Sequence, residues 1–169
     1  MTRATPRIRI AFGLLLVLAL LPGFAVPSTA ASANDSISSA KKIKRLPYTN
    51  AADTADATRD NADPTTACVG PSDGGLGHTV WYKLKRRKTT NVEVNSIGSD
   101  YDTVLAIYTR SDTGEFTEVA CDDDTLPTEF GESQVFFTAE RRTTYYIAVG
   151  SYGEKPGGHL ELNMTKEIL

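Results

Sequence analysis

Acidic side chains near the ends of short β-type segments are the residues of this sequence best suited to chemistry. One group lies early in the chain and contains Asn34, Asp35, Asp53 and Asp56. A second group contains Asp102, Asp122, Asp123 and Asp124. Calcium takes about six to eight hard oxygen ligands, which clustered Asp, Asn and backbone carbonyl groups in loops supply. Acidic loops of this kind are therefore candidates for a calcium site, and the two groups are alternatives.

A competing interpretation of both groups needs no metal. Asp side chains at strand ends accept backbone N–H bonds in Asx-turns, and they begin or end strands in this way. Salt also weakens the repulsion between exposed carboxylates, so repulsion alone does not require a cation. The sequence leaves both interpretations open at each group.

The sequence offers little for nucleophilic catalysis. His78 and His159 are the only two histidines, and neither lies in a Gly-x-Ser-x-Gly or His-Glu-x-x-His motif. His159 and Glu161 share one face of a strand, where an exposed pair is expected rather than a proton shuttle. A glycosidase would need two carboxylates about 5 to 9.5 Å apart across a cleft, and no single strand predicts such a pair. We expect no catalytic residues and no enzyme activity.

Aromatic side chains are the second candidate for binding. Trp81 alternates with apolar neighbours, so it could share an outer face with Lys83 and stack on sugar rings or on a protein. Tyr101 and Tyr152 could line the same kind of surface. The alternative is that residues 49–79 cover Trp81 and that the tyrosines lie at the rim of the core.

The elements that must position these residues are strands. After residue 78 the chain repeats short runs rich in Val, Ile, Tyr, Phe and Thr, separated by turn residues, as in all-β proteins. These runs cover residues 79–85, 91–97, 103–110, 116–121, 133–139, 144–150 and 159–165. A strand near 41–46 precedes them, and residues 49–79 have no period and are interpreted as an irregular connection. Because residues 104–108 and 145–149 are apolar on both faces, we predict a sandwich of about eight antiparallel strands.

The start of the chain has the composition of a secretory signal peptide. Arg3, Arg7 and Arg9 precede an apolar run, which leads to the small-x-small triplet at 31–33. We expect cleavage after Ala33, which would leave 34–169 as one exported domain with no membrane or lipid anchor. The alternative is an uncleaved membrane anchor.

Both cysteines lie in the part expected to be exported, where thiols pair. A bridge between Cys68 and Cys121 would close a loop of about 54 residues, which stabilises a fold by about 4 kcal/mol on the chain-entropy model. The alternative is two free buried thiols.

The charge of the chain disfavours nucleic acid as a partner. Loss of the leader would take the formal charge from −3 to −6, and an acidic surface repels phosphate backbones. The basic cluster at 83–88 is interpreted as a solvated strand end.

Five segments in one order resemble the bacterial pre-peptidase C-terminal domain over nearly all of 34–169. They are residues 34–36, 80–82, 99–108, 120–124 and 144–150. The resemblance implies a CUB-like jelly-roll β-sandwich without catalytic activity, which is often appended to exported proteases and in some relatives binds calcium, collagen or polysaccharide. In the collagen-binding relatives, an asparagine-acid start holds calcium together with acids of the connection before the Trp-Tyr strand. The resemblance implies that Asn34 and Asp35 match this start and that Asp53 and Asp56 supply the remaining acids, although His78 and Thr79 stand where an acid is expected. Asp102 lies in a Tyr-Asp pair similar to the calcium loop of CUB domains.

These observations together predict a secreted, monomeric, non-catalytic binding or accessory module. Its expected partner is an extracellular polysaccharide or protein, calcium is the only cofactor predicted, and nucleic acid is not expected. The alternative is a small secreted hydrolase or a protease-associated inhibitor.

Overall fold

The computed structural model describes residues 1, 32–127 and 129–167. The predicted signal segment 1–33 lies outside this part, apart from residues 1, 32 and 33. Within the described residues the only helical segments are two three-residue 3-10 turns, Ile37–Ser39 and Pro71–Asp73. Neither turn is long or apolar enough to span a lipid bilayer.

The described part of the chain contains nine strands. They are β1 (Lys41–Ile43), β2 (Tyr48–Asp53), β3 (Leu76–Lys85), β4 (Thr90–Asn95), β5 (Thr103–Arg110), β6 (Phe116–Asp122), β7 (Gln134–Ala139), β8 (Thr144–Tyr152) and β9 (His159–Lys166). One sheet has the order β1-β3-β8-β5-β6 and the other has the order β2-β9-β4-β7. The predicted all-β sandwich is confirmed.

Period-two patterning places the main core between the two sheets. Along β9, Leu160, Leu162 and Met164 are fully buried, whereas the residues between them are partly exposed. Val92 and Val94 of β4 face the same core. This alternation follows from the opposite direction of successive side chains along a strand.

A second apolar cluster covers the outer face of the five-stranded sheet. It forms around Trp81, Val104, Ala106 and Tyr108, and Val69 of the irregular connection packs against it. The strands that are apolar on both faces are therefore covered on each side, as the sequence predicted. On this outer side the cover is an irregular segment and a 3-10 turn instead of another sheet.

Three details of the strand arrangement differ from the sequence prediction. The structure has nine strands instead of about eight, because β2 lies in the segment interpreted as irregular. β2 is an edge strand that pairs with β9 and is only half-buried, so its apolar signal is weak. β1 runs parallel to β3, so not every pairing is antiparallel.

The predicted disulfide is confirmed. Cys68 and Cys121 are joined, with their Cα atoms 5.9 Å apart. The bridge fastens the middle of the connection between β2 and β3 to the end of β6. It therefore holds that connection over the second apolar cluster.

Candidate functional site

The second acidic group lies at one end of the sandwich, which we call the acidic end. Asp102 directly precedes β5, and Asp122 ends β6. Because these neighbouring strands are antiparallel, the two residues lie at the same end of the sheet. Asp123 and Asp124 follow in the connection to β7. Burial raises the pKa of the Asp123 carboxyl, and the charges of Asp124, Asp122 and Asp102 raise it further. The four residues therefore form one electrostatic cluster.

Within this cluster the carboxylates have different surroundings. Asp122 Oδ2 accepts hydrogen bonds from the backbone N–H of Gln134 at 2.7 Å and from that of Thr125 at 3.2 Å, and the second is expected for an acid that stabilises a turn. Asp102 Oδ2 accepts a hydrogen bond from Lys155 Nζ at 2.6 Å. This hydrogen bond, together with the charge of Asp102, raises the pKa of Lys155.

The other oxygen of Asp102 is the atom best placed for a cation. Asp102 Oδ1 is buried and has no hydrogen-bond partner among the described residues. A Cβ atom added to Gly131 would lie 3.1 Å from Asp102 Oδ1 and 2.8 Å from Asp124 Oδ1. The two carboxylates therefore border the same small space beside Gly131. Across the described part of the chain, no group of three or more His, Cys, Asp and Glu side chains is arranged to hold a metal.

Members of the first acidic group make internal hydrogen bonds. Asn34 Nδ2 donates to the carbonyl oxygen of Trp81 at 2.9 Å, and Asp35 accepts hydrogen bonds from the backbone and the hydroxyl of Thr58. Asp53 Oδ1 accepts from the N–H of residue 55 at 3.0 Å, which is the Asx-turn of the competing interpretation. Asp56 is exposed in the turn that follows β2. These contacts attach the start of the domain to β3 and to the connection.

The aromatic candidates are mostly part of the core. Trp81 is 0% exposed and packs on Tyr108 with ring centres 6.0 Å apart. The hypothesis that Trp81 offers an open binding surface is therefore wrong, because the connection between β2 and β3 and the 3-10 turn Ile37–Ser39 cover the outer face of β3. Tyr101 is also buried, and this burial raises its pKa to about 12. Tyr152 is half-buried, and the Lys155 ammonium lies 5.0 Å from its ring centre.

His159 and Glu161 on β9 have the geometry expected of an exposed strand pair. His159 Nε2 and Glu161 Oε1 are 3.1 Å apart, and both side chains are partly exposed. His78 lies elsewhere, at an irregularity in the pairing of β3 with β8, with a φ of 43°.

Asp63 is a buried acid that the sequence did not single out. Its Oδ2 accepts a hydrogen bond from the Thr79 hydroxyl at 2.6 Å. Burial raises its pKa, although the hydrogen bond from Thr79 acts in the opposite direction. The only sequence signal was an aspartate within an irregular segment, which by itself does not indicate burial.

Comparisons with known proteins find a structural neighbour but no sequence relative. No family model and no curated protein matches the sequence. The chain is similar to the 1.0 Å crystal structure of the pre-peptidase C-terminal domain of collagenase from Bacillus anthracis. The TM-score is 0.44 and the sequence identity is 12%, over 76% of this chain and 94% of that chain. This neighbour is of the same domain type that the sequence segments resemble.

Proposed function

We propose that this chain is an exported, non-catalytic accessory module that binds an extracellular polysaccharide or protein. The observation that supports the proposal best is the clustering of ligand-type side chains at the ends of rigid strands. At the acidic end, Asp102 and Asp122 stand at the limits of two paired strands, with Tyr152 at the end of a third. A binding surface on such a framework loses little conformational entropy when a ligand docks.

We also propose that the acidic end is the calcium position of this module, with Asp102 and Asp124 as its carboxylate ligands. The buried, unpartnered Asp102 Oδ1 supports this assignment, since hard oxygen atoms are the ligands that calcium prefers. Calcium there would supply positive charge between β5 and the connection to β7. Lys155 already supplies one positive charge to Asp102, so the ammonium group and calcium compete.

Binding without turnover is the expected result for the purified exported protein. Co-sedimentation with insoluble extracellular polymers and proteins measures binding, and incubation with soluble glycan, peptide and ester substrates measures turnover. Turnover that disappears in Glu161→Gln or His159→Ala would contradict the proposal and favour a hydrolase. Absence of co-sedimentation with every polymer and protein would also contradict it.

Calcium binding is tested by the melting temperature in 10 mM calcium and in chelator. Extracellular calcium modules bind with a Kd near 1 mM, so the ion should stabilise the fold by about 1.4 kcal/mol, or about 5 °C in a domain of this size. The calcium-dependent increment should grow in Lys155→Met, because the competing ammonium is gone. It should disappear in Asp102→Asn.

The matched control for calcium is Asp53→Asn, which alters an aspartate of the other acidic group and should keep the full increment. Loss of the increment in Asp53→Asn alone would move the calcium site to the first group. An increment of zero in both the wild-type protein and Lys155→Met would contradict calcium binding at the acidic end.

A further inference from the structure

A groove of about 740 Å³ lies at the end of the sandwich opposite the acidic end. Strand register fixes its place, because Lys85 of β3 pairs with Thr144 at the start of β8, whereas Thr103 beside the acidic cluster pairs with Ser151 near the end of β8. Six cationic side chains line this groove, which we call the basic groove: Lys44, Lys85, Arg86, Arg87, Lys88 and Lys166. Among the described residues of the lining, Glu167 is the one acid.

The framework of the sandwich holds the basic groove in shape. Lys85 ends a strand of one sheet and Lys166 ends a strand of the other, so the groove spans both sheets. The carbonyl oxygen of Arg86 accepts a hydrogen bond from the N–H of Arg142 at 2.7 Å, and the N–H of Glu167 donates to the carbonyl of Asn91 at 3.1 Å. These backbone contacts fix the segments that carry the cations.

Among the described residues, none of the cations of the basic groove forms an ion pair with an acid. The two ion pairs of the described residues join Lys155 to Asp102 and His159 to Glu161, and both lie outside the groove. Arg86 Nε is buried and has no hydrogen-bond partner in the same part of the chain, and a bound anion or water is the usual explanation for such a group. Like charges gathered in a cleft raise the local concentration of anions. The groove is therefore electropositive in a chain whose formal net charge is −3.

The remaining lining residues favour a sugar polymer over a nucleic acid. Thr89, Thr90 and Asn91 add hydroxyl and amide groups, and Thr138 donates to Asn91 Oδ1 at 3.0 Å, which leaves the Asn91 amide hydrogens available. Proteins that bind single-stranded nucleic acid combine a basic groove with aromatic platforms for the bases. None of the described residues that line the groove is aromatic.

We propose that the basic groove binds an acidic polysaccharide, a sugar polymer that carries repeated carboxylate or sulfate groups. The Lys and Arg side chains would bind the anionic groups, and the Thr and Asn side chains would bind hydroxyl groups along the polymer. This proposal rests on the proposed binding function and names its ligand class and its site.

The test compares two double variants of equal charge. Lys88→Gln with Lys166→Gln removes two cations from the groove, and Lys41→Gln with Arg59→Gln removes two cations that lie outside it. Affinity is measured by titration with polygalacturonate for carboxylates and heparin for sulfates, and with dextran and a 20-nucleotide single-stranded DNA as comparisons. Each exposed charge contact contributes roughly 2- to 5-fold in affinity. The groove variant should therefore bind about 4- to 25-fold more weakly, and the control should stay within about 2-fold of the wild-type protein.

The outcomes separate this inference from the proposed function. Binding to polygalacturonate, heparin or both that weakens only in the groove variant supports the inference, and the preferred polymer identifies the anionic group. Equal losses in both variants, equal binding to dextran, tighter binding to the oligonucleotide, or no binding to either acidic polymer would overturn it. Binding to a neutral polymer that the groove variant leaves unchanged would overturn the inference and leave the proposed binding function standing.

Discussion

Replacing both cysteines by alanine is expected to lower the free energy of unfolding by about 4 kcal/mol. The bridge joins residues 53 positions apart. On the chain-entropy model, closing a loop of this length lowers the conformational entropy of the unfolded ensemble, and this raises the free energy of unfolding by about 4 kcal/mol. In a domain of this size that loss corresponds to a fall in melting temperature of about 15 °C.

The structure also predicts where the variant opens first. Val69 is buried beside Cys68 and packs in the same cluster as Trp81 and Tyr108. The segment between Asp53 and Leu76 has no β-ladder to hold it once the bridge is gone. Amide exchange in this segment should therefore rise before exchange in β5 and β8, the central strands of the sheet.

Equilibrium unfolding in guanidinium chloride gives the loss of stability, and hydrogen exchange gives its location. Wild-type protein in reductant is the control, because its thiols keep their packing and lose only the covalent link. It should match the stability of Cys68→Ala with Cys121→Ala to within about 1 kcal/mol. A loss below about 1 kcal/mol in both samples, or uniform exchange across connection and sheet, would refute the reasoning.

Two further substitutions test individual contacts. Because burial raises the pKa of Asp63 above its ordinary value of 3.8, the stability that this group contributes is complete below pH 3.8 and is lost as the pH rises through the raised value. The melting temperature of the wild-type protein minus that of Asp63→Asn should therefore fall between pH 3.5 and pH 7, and a constant difference would contradict the assignment. In Gly150→Ala, the new Cβ would lie 2.3 Å from the carbonyl oxygen of Gly77, so β8 and β3 must separate at a cost of about 1 to 3 kcal/mol. Urea unfolding measures this cost, and a change below about 0.5 kcal/mol would show that the strands adjust freely.

The fold class could be predicted because strand periodicity is a local signal. The apolar alternation of β4 and β9 is complete within each strand, so no knowledge of their partners is needed. β2 is different, since Tyr48 and two alanines are its only apolar residues. Its place in the sheet depends on the ladder with β9, which is more than 100 residues away in the sequence. The sequence therefore predicted the central strands and missed this edge strand.

The surroundings of individual side chains depend on contacts that no local pattern contains. The alternation of side chains along β3 correctly places Trp81 on the outer face of that strand. Whether this face is exposed to solvent depends on the connection between β2 and β3, which has no periodic sequence pattern. The pairing of Asp102 with Lys155 is similar, because the two residues are 53 positions apart. The sequence could therefore predict which residues gather at the acidic end, and it could not predict which of their oxygen atoms remain unpartnered.

The charges at the two ends of the sandwich follow the direction of the strands. In one sheet β1, β3 and β5 run the same way, and a lysine or arginine ends each of them or directly follows it. In the other sheet β7 and β9 run the same way; Lys166 ends β9, whereas Glu140 follows β7 and is an exception. β2 and β6 run the opposite way, and they end in Asp53 and Asp122. Because successive strands reverse direction, cations and acids that alternate along the sequence separate to opposite ends of the folded domain. The local sequence at 83–88 indicates only a solvated strand end, because it does not contain the residues that lie beside this cluster in the fold. Once the strand directions are known, Lys44 and Lys166 must lie beside it, and their convergence forms the basic groove for which we propose an anionic polymer as the ligand.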